Sequence, residues 1–335
     1  MKTYLEGCKV PTTRIGSIEL PRLIMGLHPF DGYGYIGPER DREMLDHFSQ
    51  FQRIVDVLCY GVEQGITAVQ TDHMETHLNR QHLVAIWKAM EQTGVQIATI
   101  PFLVVPITLD GEPLDQRRVH ATFDRNGLDR AGQEFRDYFD NDPIVAYVSG
   151  GHGAEDEMRT RSDQVPPFTP EELGRMEIDY RAFAGHIGFF DGFDRLVADA
   201  GAEVDLLAPA GRFDLIEEYV NYLRQHFDAV VSSVHHPGNT LPALEEGGAP
   251  FDGYIAPLNK LRAFMLPTPD LALAAIRASS RPIIAIKPMG GGRMVEQEAF
   301  DYVLNEVGVA ASMFGLGPME EARHTMSLAK GALGL

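Results

Sequence analysis

Short runs rich in β-branched residues alternate with longer amphipathic runs along the whole chain, and this alternation restricts the fold more than any other feature. Parallel strands must be joined by crossover connections, usually helices, so the alternation indicates a series of βα units. We predict eight strands, at residues 22–26, 68–72, 96–102, 144–149, 203–207, 229–234, 283–287 and 310–314. The predicted helices are at residues 42–64, 78–93, 191–200, 212–226, 269–278 and 319–330.

Eight βα units in 335 residues predict a closed (β/α)8 TIM barrel, with residues 1–335 as one domain. An open doubly wound sheet is the alternative, but the Gly-x-Gly-x-x-Gly fingerprint is missing after the first strand. Two long connections, residues 103–141 and 153–190, follow the third and fourth predicted strands. We expect both as inserted loops at the carboxyl ends of the strands, the face on which barrel enzymes place their active sites.

The composition excludes several classes of protein. A formal net charge of −19 argues against a nucleic-acid partner, because phosphate binding requires clustered Lys and Arg. Two cysteines, Cys8 and Cys59, are too few for a disulfide framework. The sequence has neither a signal-peptide pattern at its start nor an apolar run of about 18 residues. We expect a cytoplasmic protein with a small-molecule substrate and no membrane partner; the oligomeric state stays open.

Four segments resemble the aldo-keto reductase superfamily, and they occur in the order that the family shows. They are LIMGLH at 23–28, GITAVQTDHMETH at 65–77, AIKPMGGG at 285–292 and FGLGPMEEA at 314–322. The resemblance implies a (β/α)8 barrel of the aldo-keto reductase type. It also implies reduction of a carbonyl group by a nicotinamide dinucleotide.

The catalytic residues that the resemblance implies are not retained. The second strand of the family carries an Asp and a Tyr, where this chain has Gln70 and Glu75. No lysine lies near the end of the third strand, and His152 comes slightly later than the family's histidine place. In a register shifted by two residues, Asp72 would match the family's Asp and His77 would replace its Tyr. In either register, the resemblance implies a divergent barrel without the usual tetrad.

The resemblance also implies a place for the cofactor phosphates, at Gly315 and Gly317 before the last helix. Glu320 and Glu321 follow this turn, and two acids there would repel the additional phosphate of NADP. A second candidate anion site is the turn with Gly290, Gly291 and Arg293, because consecutive backbone amides and a guanidinium suit an anion. A flexible loop is the alternative interpretation of this turn.

Imidazole and carboxylate side chains accumulate at the ends of the predicted strands. Zinc, manganese, iron and nickel all accept such a mixture of ligands, and a catalytic metal keeps one coordination position open. The sequence therefore predicts a divalent metal site with these ligands: His28, Asp72, His152, His235 and His236. Strand alternation directs only one of His235 and His236 inward, and the sequence does not decide which one.

Proton transfer is assigned to Glu75, His73 and Lys287. Glu75 takes the place of the family's Tyr, and a desolvated carboxyl group has a raised pKa. His73 follows the second strand. Lys287 ends the seventh strand, but a lysine is ordinary in the matching segment of the family and alone is weak support for new chemistry.

Several side chains of the helix 78–93 are interpreted as structural. We expect Trp87 to lie on the core face of this helix with Leu83, Val84 and Met90. His82 is interpreted as a surface or packing residue of the same helix.

Three functional hypotheses follow. The first is a metal-assisted lyase, hydrolase or isomerase that acts on a small polar or carbonyl-bearing substrate, with Glu75 or His73 moving the proton. The second is an aldo-keto reductase-type oxidoreductase that uses NADP or NAD, with His77 or Glu75 as an atypical proton donor. The third is a non-catalytic barrel that binds a ligand.

Overall fold

The computed structural model describes residues 3–72, 77–149 and 164–335, and within them eight parallel strands form a closed barrel. The strands are β1 (Leu23–Gly26), β2 (Ala68–Asp72), β3 (Ala98–Phe102), β4 (Val197–Asp199), β5 (Ala229–Ser233), β6 (Gly253–Pro257), β7 (Ile283–Ile286) and β8 (Ala311–Gly315). They pair in sequence order, and β8 pairs with β1 to close the ring. The predicted (β/α)8 barrel is confirmed.

Helices surround the barrel and fill the connections at its carboxyl end. The α-helices are Thr3–Glu6, Pro38–Phe48, Phe51–Glu63, His77–Thr93, Gln116–Ala131, Gln133–Asn141, Pro143–Ser149, Pro170–Leu173, Tyr180–Gly188, Val204–Leu207, Phe213–Leu223, Pro237–Glu246, Pro269–Ala278, Gln297–Asp301 and Met319–Gly331. A 3-10 turn, His28–Asp31, follows β1, and a π-helical turn, Tyr302–Glu306, precedes β8. None of the described helices combines the length and the apolar content needed to cross a membrane.

Two predicted strands are wrong and two barrel strands were missed. The segment 144–149 lies in the helix Pro143–Ser149, because the carboxylate of Asp142 accepts the first amides of this helix. The segment 203–207 lies in the short helix Val204–Leu207. Such short apolar runs fit a buried helix as well as a strand. The missed strands are β4 and β6, and β4 is only three residues long.

Residues 103–196 connect β3 to β4, so both predicted inserts lie within one connection. This connection contains a three-stranded antiparallel sheet formed by Ile107–Leu109, Glu112–Pro113 and Met176–Ile178. The helix Tyr180–Gly188 leads from this sheet towards β4. The connection therefore adds a structured layer outside the barrel.

An amino-terminal hairpin covers the amino end of the barrel. Its strands Thr12–Ile15 and Ile18–Pro21 pair in antiparallel register, and Ile15 and Ile18 are buried against residues of the barrel interior. The guanidinium group of Arg22 donates hydrogen bonds to the carbonyl oxygens of Ala310, Leu304 and Val309 beside this hairpin. The apolar side chains of the hairpin close the amino end of the barrel. We therefore expect the polar groups of a site at the carboxyl end.

The helix His77–Thr93 does not bury Trp87 as the sequence predicts. Trp87 is 48% exposed and Val84 is 53% exposed, whereas Leu83 and Met90 are buried. The Trp87 ring contacts Phe193 from the connection between β3 and β4, with ring centroids 5.1 Å apart. The outer face of the helix therefore serves as a support for this connection.

Candidate active site at the carboxyl ends of the strands

The barrel mouth is defined here by His28, Asp31, Tyr35, Asp72 and Lys287, which follow or end β1, β2 and β7. His28 begins the 3-10 turn after β1, and its ring lies 5.4 Å from Tyr33 and 6.1 Å from Tyr35. Although solvent reaches His28, the surrounding protein and the positive charge of Lys287 lower the pKa of its imidazole to about 4. His28 is therefore a neutral imidazole at physiological pH.

Lys287 lies just beyond β7 in a left-handed backbone conformation, with φ of 56°. Its Nζ lies 4.8 Å from the centroid of the Tyr35 ring and 5.1 Å from that of the Phe264 ring. Burial lowers the pKa of the ammonium group to about 8. Within the described parts of the chain, no carboxylate or carbonyl pairs with Nζ. The amine is therefore held by aromatic faces and is free to meet a ligand.

A second pair at the mouth, Asp31 and His82, was missed by the sequence analysis. His82 Nε2 lies 3.5 Å from Asp31 Oδ1, and the His82 side chain is almost fully buried. Burial and the neighbouring Asp72 raise the pKa of Asp31 to about 7, and burial lowers that of His82 to about 4. Asp31 is thus a carboxyl group that can hold a proton near neutral pH. The run HPFDGYGY at 28–35 was the available signal, because it places ionisable and aromatic residues directly after a barrel strand.

Gln70, at the place of the family's catalytic Asp, has a structural partner. Its side-chain amide donates to Asp199 Oδ2 over 3.2 Å. The Ser233 hydroxyl and amide also donate to the Asp199 carboxylate, over 2.8 and 2.9 Å. Burial nonetheless raises the pKa of Asp199 to about 7. Gln70 therefore ties β2 to β4 and β5 and has no group to ionise.

Two further carboxyl groups, Glu203 and Asp205, lie beyond β4. Burial raises the pKa of Glu203 to about 8 and that of Asp205 to about 7, and the neighbouring acids add to the shift of Glu203. Glu203 Oε2 is buried without a hydrogen-bond partner in the described structure. Asp205 accepts hydrogen bonds from the amides of His235 and His236 and from the Thr240 hydroxyl. Asp205 thus fixes the turn that follows β5.

The two consecutive histidines of this turn have different neighbours. The ring of His235 lies 6.0 Å from that of Phe264, which also contacts Lys287. His236 is only 4% exposed and packs against Phe123 of the helix Gln116–Ala131, with ring centroids 5.1 Å apart. His235 therefore lies next to a ring that also contacts Lys287, and His236 packs against the connection between β3 and β4.

The predicted metal centre is not supported. Across residues 3–72, 77–149 and 164–335, no group of three His, Cys, Asp or Glu side chains could hold a metal ion. His28 is flanked by tyrosine rings, Asp72 neighbours Asp31, and His236 packs away from the mouth. The predicted ligand His152 and the predicted proton carriers His73 and Glu75 lie outside the described residues. His77 begins a helix.

The turn after β7 offers features of an anion site. Gly290, Gly291 and Gly292 all have positive φ, at 57°, 68° and 80°. In the described structure, the amides of Gly291 and Gly292 donate no hydrogen bond. Arg293 lies beside them, and its guanidinium donates to the carbonyl oxygens of Gly290 and Pro143. Two open amides and one guanidinium in a single turn fit a diphosphate group.

The turn after β8 has an acidic side chain close to its backbone. A Cβ at Gly315 would lie 2.7 Å from Pro29, and one at Gly317 would lie 2.5 Å from Glu321 Oε2. The Glu321 carboxylate therefore lies over this turn, where Arg40 pairs with it at 2.5 Å. A carboxylate can accept a hydrogen bond from a ribose hydroxyl, but it repels a ribose phosphate.

Comparison with known sequences gives no relative: no family model matches the chain, and no curated protein does. Comparison with solved structures does give similar folds. A protein described as an aldo-keto reductase from Pseudomonas aeruginosa matches with a TM-score of 0.54 and 14% identity, covering 99% of this chain and 100% of that one.

Two further solved structures are similar at lower TM-scores. A thermostable aldo-keto reductase in complex with the inhibitor epalrestat has a TM-score of 0.47 and 13% identity, with 96% of this chain and 94% of that one covered. An aldo-keto reductase complexed with NADPH has a TM-score of 0.45 and 11% identity, with coverage of 98% and 88%. The match to the Pseudomonas aeruginosa protein and the closed ring of eight parallel strands show that the fold of this chain is a (β/α)8 barrel of the aldo-keto reductase type.

Proposed function

We propose that the barrel mouth reduces the carbonyl group of a small molecule with hydride from a nicotinamide dinucleotide. The observation that carries the proposal is Lys287, a cation at a strand end that has aromatic neighbours and no acidic partner among the described residues. Such a cation is suited to an oxygen atom on which negative charge develops. The aldo-keto reductase type of barrel agrees with this reaction without establishing it.

In this proposal, the Lys287 ammonium group donates a hydrogen bond to the carbonyl oxygen of the substrate. With a pKa of about 8, most of the lysine is protonated at neutral pH and is still acidic enough to release its proton to an alkoxide. His28 remains neutral beside it and therefore does not compete for the same charge. Asp31 is a second proton source, and His73 and Glu75 remain candidates for the same role.

The dinucleotide would lie along the ends of β7 and β8 and would supply the hydride. The amide of Gly291 and the guanidinium of Arg293, with the turn at Gly290, would hold its diphosphate group. The turn at Gly315 and Gly317 would receive the adenosine end. Because Glu321 lies over that turn, we propose that the form without the ribose phosphate binds more tightly than NADP.

The aromatic rings at the mouth support a proposal for the substrate class. The Tyr35 and Phe264 rings both lie near Lys287 Nζ, and the Tyr33 ring lies 6.2 Å from that of Tyr35. A carbonyl group bound to Nζ would therefore meet aromatic faces. We therefore propose small aldehydes or ketones with a compact polar end.

The test is oxidation of NADH and of NADPH by the purified protein with a panel of small aldehydes and ketones. We expect Lys287→Met to lower kcat/KM by about 100-fold or more, because the charge that stabilises the oxyanion is lost. Lys287→Arg keeps the charge and should retain more activity than Lys287→Met. Lys260→Met is the matched control, because Lys260 is an exposed lysine paired with Glu298. Wild-type activity in Lys287→Met, or no dinucleotide oxidation at all, would contradict the proposal.

A further inference from the structure

Lys287 has the surroundings of a nucleophilic amine. Its side chain is only half-buried, so a small molecule can reach Nζ from the mouth. No carboxylate of the described residues pairs with Nζ, so the neutral form loses no ion pair when it appears. The aromatic rings of Tyr35 and Phe264 keep the amine in a weakly hydrated place, which favours its neutral form.

The backbone of Lys287 has an unusual conformation. Lys287 has a φ of 56°, a left-handed conformation that is costly for a residue with a Cβ. The preceding strand β7 is paired on both sides, with β6 and β8, and the Gly290 amide donates to the Lys287 carbonyl oxygen. A strained residue fixed by its neighbours at a strand end is typical of a site of chemistry.

We infer that the amine of Lys287 condenses with a small aldehyde or ketone to form an imine at the barrel mouth. The Nζ lone pair attacks the carbonyl carbon, a C–N bond forms, and the carbonyl oxygen takes up protons and leaves as water. The amine loses its two protons in the same sequence, so no oxidant or reductant is needed. Hydrolysis of the imine returns the free lysine and the carbonyl compound.

His28 and Asp31 assist the condensation in different ways. His28 interacts electrostatically with Lys287 and stays neutral, so it can accept a hydrogen bond from the amine while solvent takes up the proton. Asp31 holds a proton near neutral pH at the same barrel mouth, and we assign to it the protonation of the departing oxygen. The mouth therefore offers one neutral hydrogen-bond acceptor and one carboxyl group that holds a proton near neutral pH.

An imine would extend the reactions that the mouth can carry out on a carbonyl compound. A protonated imine withdraws electrons from the neighbouring carbon more strongly than a carbonyl does, so a proton on that carbon becomes acidic. Lyase or isomerase chemistry could then proceed without a metal ion. The inference relies on the proposed function only in taking the mouth as the place where a carbonyl compound binds.

The test is reductive trapping on the full chain, without any dinucleotide. Dihydroxyacetone, pyruvate and acetone are incubated separately with the protein in the presence of sodium cyanoborohydride, which reduces imines faster than carbonyls. We expect a single adduct by intact mass, located by peptide mapping at Lys287. Lys287→Arg and Lys287→Met should lose this adduct, whereas Lys260→Arg, the exposed control, should keep it.

A second measurement tests the imine without a trapping reagent. Exchange of the α-hydrogens of acetone in D2O, followed by NMR, should be faster with wild-type protein than with Lys287→Arg. Circular dichroism checks that each variant is folded. Adducts spread over surface lysines, or an unchanged adduct in Lys287→Arg, would overturn the inference. The two proposals fail separately. If the wild-type protein reduces carbonyls with a dinucleotide but gives no adduct, the imine alone is refuted. If it gives the adduct but no reduction, the reductase proposal alone is refuted.

Discussion

Two ionisable groups at the barrel mouth have pKa values displaced towards neutrality from opposite directions. Burial and Asp72 raise the pKa of the Asp31 carboxyl to about 7, and burial lowers that of the Lys287 ammonium to about 8. Groups with such pKa values can both donate and accept protons at physiological pH, which makes them candidates for general acid–base catalysis.

Replacing Asp31 should remove one titrating group from the pH dependence of kcat/KM. Asp31→Asn keeps the size of the side chain but cannot supply a proton, so we expect kcat/KM for carbonyl reduction to fall by about 10- to 100-fold at neutral pH. The dependence of kcat/KM on pH should lose the change that occurs near pH 7 in the wild-type protein. Asp129→Asn, at an exposed ion pair, is the control. An unchanged pH profile in Asp31→Asn would exclude Asp31 as a proton donor.

The sequence identifies some residues of the candidate site and misses others for a physical reason. His28 and Lys287 were found because each directly follows a barrel strand, where the position in the fold follows from the pattern. His82 was not found, because its helix places it beside Asp31 only after the barrel has closed. Gln70 looked like a lost catalytic residue, and its hydrogen bond to Asp199 appears only in the folded chain.

The helix Pro143–Ser149, which we predicted as a strand, shows how one side chain can determine secondary structure. The Asp142 carboxylate accepts the amides of Ile144 and Val145 through Oδ1 and the amide of Phe264 through Oδ2, at 2.7 to 2.9 Å. The β-branched residues that follow favour a strand, but this cap starts a helix. The contact with Phe264 is distant in sequence, so no local pattern could reveal it.

Removing this cap should destabilise the fold. Asp142→Ala leaves three buried amides without their acceptor, and we expect the free energy of unfolding to fall by about 2–4 kcal/mol. Asp142→Asn retains one acceptor oxygen and should lose less. Chemical denaturation measures both, with Asp129→Ala as an exposed control expected to change stability by less than about 0.5 kcal/mol. Equal stability of Asp142→Ala and wild type would mean that water replaces the cap.

The helix Met319–Gly331 carries Glu321 in its first turn, and we expect this acid to favour NADH over NADPH. Glu321→Gln removes the charge over the turn at Gly317, so the repulsion of a ribose phosphate should weaken. We expect the Kd for NADPH to fall by about 3- to 10-fold, measured by calorimetric titration, with a smaller change for NADH. Glu217→Gln, at an exposed position on another barrel helix, should change neither value. A parallel change for both dinucleotides would show that Glu321 does not distinguish them.

At the scale of the whole molecule, the acids Asp199, Glu203 and Asp205 lie buried beside β4 and β5 with raised pKa values. The folded state therefore holds their protons at pH values where the unfolded state has released them. Their contribution to stability is largest below their ordinary pKa values, near 4, and is lost as the pH rises to about 8. His28 and His82, with lowered pKa values, act in the opposite direction, but only below about pH 6.5.

Glu203 offers a direct measurement of this dependence. Glu203→Gln removes a carboxyl group whose Oε2 is buried without a hydrogen-bond partner in the described structure. Relative to wild type, the free energy of unfolding should increase by about 1–3 kcal/mol more at about pH 8.5 than at about pH 6. Urea denaturation at both pH values measures the difference. An identical effect of the substitution at the two pH values would show that Glu203 is already ionised in the folded protein at about pH 6, so that its pKa is not raised.

The barrel itself was predictable because its strands are parallel, buried and separated by helices of ordinary length. The exceptions share a physical origin. The strand β4 has only three residues, and its place in the ring depends on pairing with β3 and β5 rather than on its own composition. The connection of residues 103–196 was divided in two because a capped helix inside it had the composition of a strand.

The exposed position of Trp87 makes it an intrinsic fluorescence probe. Trp87 is the only tryptophan of the chain, and its ring contacts Phe193, which belongs to the connection that precedes β4. Intrinsic tryptophan emission therefore comes from one place, the contact between the barrel wall and this connection. If the connection separates from the wall, the indole gains water and its emission moves to longer wavelength, while circular dichroism of the barrel is unchanged. The two signals together distinguish undocking of the connection from unfolding of the barrel.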